Sequence, residues 1–155
     1  MTGFRTMLAT VCAALNEDAA RYVLAGGRAL QLWGSSRATR DIDLLIEPML
    51  ENAVRVVSAL SRVGIATGGD WLANELISRQ AVTIGDNPKV DIFTVAWTVP
   101  FREVRARAVH FTLEGVDVPT MSIEHLVRSK RTGRLQDAAD IEVLEEIQRL
   151  RGEVQ

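Results

Sequence analysis

Two aspartates inside an apolar stretch, Asp41 and Asp43, constrain the fold of this chain more than any other sequence feature. Residues two apart on a β-strand point to the same face of the sheet, so the two carboxylates lie side by side. Aspartate is disfavoured in strands, and two like charges on one face repel each other. We therefore predict a half-buried strand over residues 41–47, closed by Pro48, with a divalent-cation site at one end. Oxygen ligands of this kind suit Mg²⁺.

A third carboxylate, Asp91, stands between Val90 and Ile92 in another strand-like stretch. On a neighbouring strand it would complete a site of three carboxylates with the first pair. In phosphoryl chemistry on two metal ions, such a group acts as general base and binds one of the ions. The later residues Asp137 and Asp140 are alternatives for this third position.

A glycine pair, Gly26-Gly27, separates a short apolar strand over residues 21–25 from a helix predicted over residues 28–33. Glycine adopts positive φ and lets a phosphate approach the backbone closely. The free N–H groups at a helix N-terminus also attract anions. A tight turn is the simpler interpretation of the pair by itself, and the aspartates that follow it favour a phosphate site.

The loop over residues 35–40 leads into the acidic strand and contains Ser36, Arg37 and Thr39. Hydroxyl and guanidinium groups can hold the oxygens of a triphosphate, so we predict that these three bind nucleotide. A solvated connecting loop explains each of them equally well. The nearby Trp33 is predicted to pack against the core rather than to stack on a base.

A basic segment late in the chain contains Lys130 and is followed by Asp137 and Asp140. Lys130 is suited to neutralise a phosphate as a point charge. Asp137 either orients this lysine or supplies the acidic charge favoured in the first turn of a helix. His110 and His125 lack the spacing of paired metal ligands and are not predicted to bind metal.

The order of apolar patterns predicts an α/β (α+β) fold in which a mixed β-sheet is flanked by helices. A chain of 155 residues is expected to form a single domain, 1–155. Helix 49–63 has its predicted apolar stripe at Leu50, Ala53, Val54, Val57 and Leu60. Strands are predicted over residues 80–84, 89–95, 108–113 and 116–118, and turn signals at 85–88 and 114–115 predict that they pair as two hairpins. Further helices are predicted over residues 4–17, 71–77, 100–104, 122–131, which Ser122 caps, and 136–150, with core positions Ala139, Ile141, Leu144 and Ile147.

Composition excludes several classes of function. The net charge of −2 argues against non-specific binding of nucleic acid. Cys12 is the one cysteine, which excludes an internal disulfide, and its apolar neighbours predict a buried position. There is no apolar run of about 18 residues that would span a membrane. We therefore expect a soluble, cytoplasmic protein.

Three of these patterns resemble the nucleotidyltransferase superfamily with the DNA polymerase β-like fold. They are Gly26-Gly27, the run from Arg37 through Thr39 and Asp41 to Asp43, and Asp91. The second pattern is similar to the Arg-x-Thr-x-Asp-hydrophobic-Asp motif of a small bacterial branch, the AbiEii-like type IV toxins. That branch also carries a later lysine and a later aspartate, which resemble Lys130 and Asp137.

The resemblance implies Mg²⁺-dependent transfer of a nucleoside monophosphate from an NTP to a hydroxyl acceptor, with release of pyrophosphate. The acceptor would be an RNA end, a small molecule or a protein. One or two Mg²⁺ ions and an antitoxin partner are also implied. In this interpretation the phosphates are held by Gly26, Gly27 and Arg28; the metal is held by Asp41, Asp43 and Asp91; and the nucleotide is contacted by Lys130 and Asp137.

One departure from the superfamily leaves two alternatives open. Its usual glycine-serine is glycine-glycine here, so a hydroxyl expected on the phosphate is missing. The chain could therefore be a catalytically inactive binding or partner module on the same fold. A metal-dependent phosphohydrolase of another family is a further alternative.

Overall fold

The computed structural model describes residues 5–36, 38–96, 98–131 and 134–154. The helices are α1 Met7–Glu17, α2 Gly26–Trp33, α3 Leu50–Arg62, α4 Asp70–Ser78, α5 Phe101–Ala106, α6 Ile123–Ser129 and α7 Leu135–Val154. The strands are β1 Tyr22–Ala25, β2 Ile42–Ile46, β3 Ala81–Ile84, β4 Val90–Phe93, β5 Val95–Ala96, β6 Val99–Pro100, β7 Val109–Leu113 and β8 Val116–Thr120.

A six-stranded mixed sheet organises the fold, in the order β3-β4-β2-β1-β8-β7, and β5 pairs with β6 in a separate ribbon. The pairs β2–β4 and β1–β8 are parallel, whereas β1–β2, β3–β4 and β7–β8 are antiparallel. Helices α1 and α3 pack against each other, and α2 packs on β1 and β2. The predicted mixed sheet flanked by helices is confirmed.

The core lies where the sequence is most apolar. All four residues of β1 are buried, and so are Ile42, Leu44, Leu45 and Ile46 of β2. Cys12 is fully buried on α1, as predicted, and burial raises the pKa of its thiol to about 11. Trp33 also packs as predicted: it meets Phe111 edge to face at 5.1 Å, and its Nε1 donates to the Met121 carbonyl at 2.9 Å.

The predicted apolar stripe of α3 is wrong at two positions, because Leu50 and Val54 are 46% and 47% exposed. The buried face contains Asn52 and Val56 instead. The Asn52 side chain accepts from the Arg21 N–H at 2.7 Å and donates to the Arg21 carbonyl at 2.9 Å. These hydrogen bonds satisfy the amide of Asn52 on the buried face of the helix.

The predicted hairpins and the α6 cap are confirmed. β3 pairs with β4, and β7 pairs with β8 across the turn at Glu114-Gly115. Ser122 caps α6 by accepting from the His125 N–H at 3.2 Å, although the helix ends at Ser129 rather than near residue 131. On α7, Leu144 is buried as predicted, whereas Ala139 is exposed.

None of the helices in the described part of the chain combines the length and the apolar character that a membrane span requires.

Candidate active site

Asp43 and Asp91 lie opposite each other on the adjacent parallel strands β2 and β4. Their carboxyl groups share a hydrogen bond. Asp91 also accepts from the Thr83 hydroxyl at 2.5 Å, and Thr83 is its register partner on the edge strand β3. Three neighbouring strands therefore position this pair of carboxylates.

The electrostatics of Asp43 reflect this crowding. Its pKa rises from 3.8 to about 7, first because of burial and then because of the charge and hydrogen bond of Asp91 and the charge of Asp41. The ammonium group of Lys130 lowers this pKa and offsets part of the rise. Without a cation, Asp43 is thus protonated in a large fraction of molecules near neutral pH.

Asp41 is predicted to lie within the strand, but the structure places it just before the strand, because β2 begins at Ile42. Its side chain is exposed at the rim of the site, one residue before the strand. Among the described residues, no three acidic, histidine or cysteine side chains are already grouped closely enough to hold a metal ion. The structure therefore brings Asp43 and Asp91 together, and Asp41 would have to turn inward to join them.

The glycine pair is positioned by close contacts. α2 begins at Gly26 rather than at Arg28, and Gly26 has φ +63°. A Cβ atom at position 26 would lie 1.7 Å from Asp43 Oδ2, so the carboxylate approaches the helix backbone more closely than any side chain would permit. A Cβ at position 27 would lie 2.8 Å from Thr39 Cγ2, which places Thr39 against Gly27.

A cavity of about 460 Å³ opens beside this carboxylate. Its lining contains polar residues from the start of α2, from β2 and from the α6–α7 region, which we call the polar wall, and apolar residues, which we call the apolar wall. The polar wall comprises Gly26, Asp43, Ser129, Lys130, Arg134 and Asp137, and the apolar wall comprises Ala25, Leu45, Phe93, Val95 and Ala96.

Lys130 reaches the cavity from a buried ion-pair cluster. Its Nζ lies 2.9 Å from Asp140 Oδ2 and 3.5 Å from Asp137 Oδ1. Asp137 also accepts from Arg134 Nε at 2.8 Å, and Asp140 accepts from Gln136 Nε2 at 3.1 Å. Asp137 and Asp140 thus orient Lys130, whereas Asp91 is the carboxylate that pairs with Asp43.

The other predicted nucleotide-binding residues that the structure describes are not among those that line this cavity. Arg28 is half-buried on α2, and its buried Nε has no hydrogen-bond partner within the described part of the chain. Ser36 lines a different groove, beside Glu142 and Glu146 of α7, so the structure does not bring it to the cavity. Arg37 lies outside the described residues.

Neither histidine joins the carboxylates. His110 Nδ1 lies 3.0 Å from Asp117, and both side chains are more than half exposed. His125 is 2% exposed, and its Nε2 lies 3.4 Å from Glu103 Oε2. Both histidines therefore pair with acidic residues away from the carboxylate pair.

Sequence reasoning missed Thr83 and the apolar wall at Leu45, Phe93 and Ala96. A signal for Thr83 was present, because pairing the predicted hairpin back from its turn places Thr83 opposite Asp91. The apolar wall had no comparable signal. In the sequence, Leu45 and Phe93 look like ordinary core residues. The β2–β4 register places them side by side, and this cannot be inferred from the hydropathy pattern.

Solved structures that share this fold include an adenylyltransferase and a nucleotidyltransferase-like protein. The lincosamide antibiotic adenylyltransferase LnuA, solved with lincomycin bound, is 17% identical with a TM-score of 0.63 over 94% of this chain and 99% of that chain. The antibiotic-resistance factor ANT(2'')-Ia is 14% identical with a TM-score of 0.58 over 95% of this chain and 88% of that chain. A nucleotidyltransferase-like protein from Paracoccidioides brasiliensis is 17% identical with a TM-score of 0.59 over 92% and 73%.

The fold is therefore that of the nucleotidyltransferases. The family described as "Nucleotidyl transferase AbiEii toxin, Type IV TA system" matches residues 8–143, most of the chain. The protein belongs to this AbiEii family and is a nucleotidyltransferase, as the sequence motifs indicated. Among curated proteins, no sequence matches the chain.

Proposed function

We propose that this protein transfers a nucleoside monophosphate from an NTP to a hydroxyl acceptor, with Mg²⁺ held by Asp43, Asp91 and Asp41. The observation that carries the proposal is the Asp43–Asp91 carboxylate pair beside a cavity whose polar wall also contains Lys130. The wall contains the glycine backbone at the start of α2 as well, so groups for metal and for phosphate meet in one place.

The carboxylate pair fits Mg²⁺ by its chemistry. Two acidic groups share a hydrogen bond, and a third, Asp41, adds its negative charge to Asp43. An arrangement of hard oxygen donors with excess negative charge is suited to Mg²⁺, which also retains substrate phosphates as ligands. When bound, the ion would neutralise these carboxylates and polarise the α-phosphate.

The phosphates of the NTP would bind to the start of α2 and to the basic side chains that line the cavity. The N–H groups in the first turn of α2 attract anions, and Gly26 lets a phosphate approach them. Within the described residues, the Nζ of Lys130 pairs with Asp140 and Asp137, and its three N–H donors would allow it to bind a phosphate oxygen as well. Arg134 adds a second positive charge to this wall of the cavity.

The proposed reaction is an in-line displacement at the α-phosphorus. The acceptor oxygen forms a bond to the α-phosphorus, the bond to the bridging oxygen of pyrophosphate breaks, and pyrophosphate leaves. The acceptor proton passes to the Asp91 carboxylate, which acts as general base. Thr83 holds Asp91 in position for this transfer through its hydroxyl.

Family membership supports a toxin that acts on a cellular acceptor and is countered by an antitoxin. The structural neighbour LnuA is an antibiotic adenylyltransferase, which makes a small-molecule hydroxyl a further candidate. RNA ends, protein hydroxyls and small molecules are therefore the acceptor classes to compare.

The test uses each of the four NTPs labelled at the α-phosphate, Mg²⁺, and separate RNA, protein and small-molecule fractions of a cell extract. We expect label in one fraction with the wild type, none with Asp43→Asn, and normal labelling with Asp117→Asn. The control Asp117 is an exposed carboxylate on β8. NTP binding without labelling of any fraction would indicate the inactive module, and labelled nucleotide or phosphate without an adduct would indicate a phosphohydrolase.

A further inference from the structure

A second cavity, of about 580 Å³, lies away from the carboxylate pair. Arg21 precedes β1 and Glu47 follows β2, so this cavity begins at the ends of these strands that lie far from Gly26 and Asp43. Glu47 comes four positions after Asp43, a distance of about 13 Å along an extended strand. We call this cavity the arginine groove, after Arg21, Arg102 and Arg105, which line it.

The arginine groove carries uncompensated positive charge. Arg21 Nε is paired with Glu47 Oε2 at 2.8 Å. Arg105 donates to the neutral carbonyl of Tyr22 at 2.6 Å. Arg102 is exposed, and no acidic side chain of the described residues pairs with it or with Arg105. Two guanidinium charges are therefore available to an anionic partner.

Apolar surface adjoins these charges. Met49 lines the groove and is 55% exposed. Leu50 and Val54, which follow Met49 in the first turns of α3, are also exposed, at 46% and 47%. A ligand that covers this surface needs apolar groups as well as negative charge.

We infer that the arginine groove binds an acidic, amphipathic segment of a partner protein. Carboxylates pair with guanidinium groups through two parallel hydrogen bonds, and an apolar helix face would cover Met49, Leu50 and Val54. Single-stranded nucleic acid binds on exposed aromatic side chains. Phe101 is the aromatic residue that the structure describes in the lining, and it is 3% exposed, so the surface favours a peptide over RNA. This interaction is separate from nucleotidyl transfer.

The test measures fluorescence anisotropy with the full chain and a labelled peptide that places leucine and glutamate at helical spacing. A matched peptide has glutamine in place of glutamate, and a labelled oligouridylate represents RNA. The test variant is Arg102→Glu. The control is Arg107→Glu, which makes the same charge change just after α5 at an exposed residue outside the groove lining.

The wild type is expected to bind the acidic peptide in preference to the glutamine peptide and to RNA. Arg102→Glu should weaken this binding about tenfold, the order of one charged hydrogen-bonded pair, and Arg107→Glu should not. Binding of Mg²⁺-ATP should be the same in all three proteins. Equal losses in both variants, absence of peptide binding, or tighter binding of RNA would overturn the inference. So would a wild-type dimer in light scattering that Arg102→Glu dissociates, since a second copy would then be the occupant.

Discussion

Asp43 and Asp91 face each other across two parallel strands, and their carboxyl groups share a hydrogen bond. Two acids buried side by side cannot both ionise without a cost, unless a cation neutralises them. The cost is visible in Asp43, whose pKa rises to about 7. The pair therefore ties the stability of the folded chain to pH and to cations.

The first prediction concerns this pH dependence. Because the pKa of Asp43 is about 7 in the folded chain and 3.8 ordinarily, folding favours the protonated carboxyl. Its stabilising contribution is fully present below about pH 4 and is lost as the pH rises toward 7. The uncharged variant Asp43→Asn should therefore melt at a higher temperature than the wild type, with a larger difference at about pH 8 than at about pH 5.

Melting temperatures from calorimetry without divalent cations check this prediction, with Asp117→Asn as the control. Adding Mg²⁺ at the higher pH should raise the melting temperature of the wild type and leave Asp43→Asn nearly unchanged. A difference between the two proteins that is the same at both pH values would contradict the burial of an ionisable pair.

The second prediction concerns Gly26. Gly26→Ala adds a Cβ that collides with Asp43 Oδ2, so it should displace the carboxylate and abolish Mg²⁺-dependent NTP binding. Gly64→Ala is the matched control, since Gly64 also has positive φ, +80°, but an added Cβ there meets nothing within 4 Å. Both variants should lose about 1 kcal/mol of stability from backbone strain. NTP binding that is lost or retained equally in the two variants would argue against the contact with Asp43.

The third prediction concerns Lys130. Lys130→Met leaves Asp137 and Asp140 buried without their shared cation, so the free energy of unfolding should fall by about 3 to 5 kcal/mol. Adding Asp140→Asn removes the charge of the carboxylate closest to Nζ and should restore much of this stability. NTP binding should remain weak in the double variant, as measured by titration. Recovery of NTP binding together with stability would mean that Lys130 serves only the fold.

The fourth prediction concerns Asn52. Its side chain satisfies the N–H and carbonyl of Arg21 and donates to the Glu47 carbonyl at 3.1 Å. Asn52→Ala removes these three hydrogen bonds, although the Arg21 carbonyl still accepts from the Glu47 N–H, and should cost about 2 kcal/mol in a urea titration. Ser58→Ala, at an exposed position of the same helix, should cost far less. NTP affinity should not change in either variant, and a loss in Asn52→Ala would show that α3 also supports the site.

The sequence predicted the strands, turns and helix caps that depend on residues close together in the chain. The apolar run around Asp43 predicted a strand, the turn at Gly85 predicted a hairpin, and Ser122 predicted the start of α6. Each depends on residues only a few positions apart. The acidic residues shortly after Lys130 predicted a carboxylate that orients this lysine, and the ion pairs of its Nζ with Asp140 at 2.9 Å and Asp137 at 3.5 Å agree with that role.

Relationships between residues far apart in the chain were harder to predict from the sequence. The register that places Asp43 opposite Asp91 joins residues far apart in sequence, and hydropathy carries no information about it. The predicted stripe on α3 failed because Asn52 is buried for its hydrogen bonds with Arg21, 31 positions away. Ser36 was predicted from its type alone, and the path of its loop takes it to another groove.

The most direct test of the proposed site is a calorimetric titration of the four NTPs in the presence of Mg²⁺, with wild type, Asp43→Ala and the control Asp117→Asn. The account predicts saturable binding of at least one NTP to the wild type and to Asp117→Asn, which EDTA abolishes, and none to Asp43→Ala. Failure of the wild type to bind any NTP, or equal binding by Asp43→Ala, would contradict a Mg²⁺-nucleotide site at the Asp43–Asp91 pair.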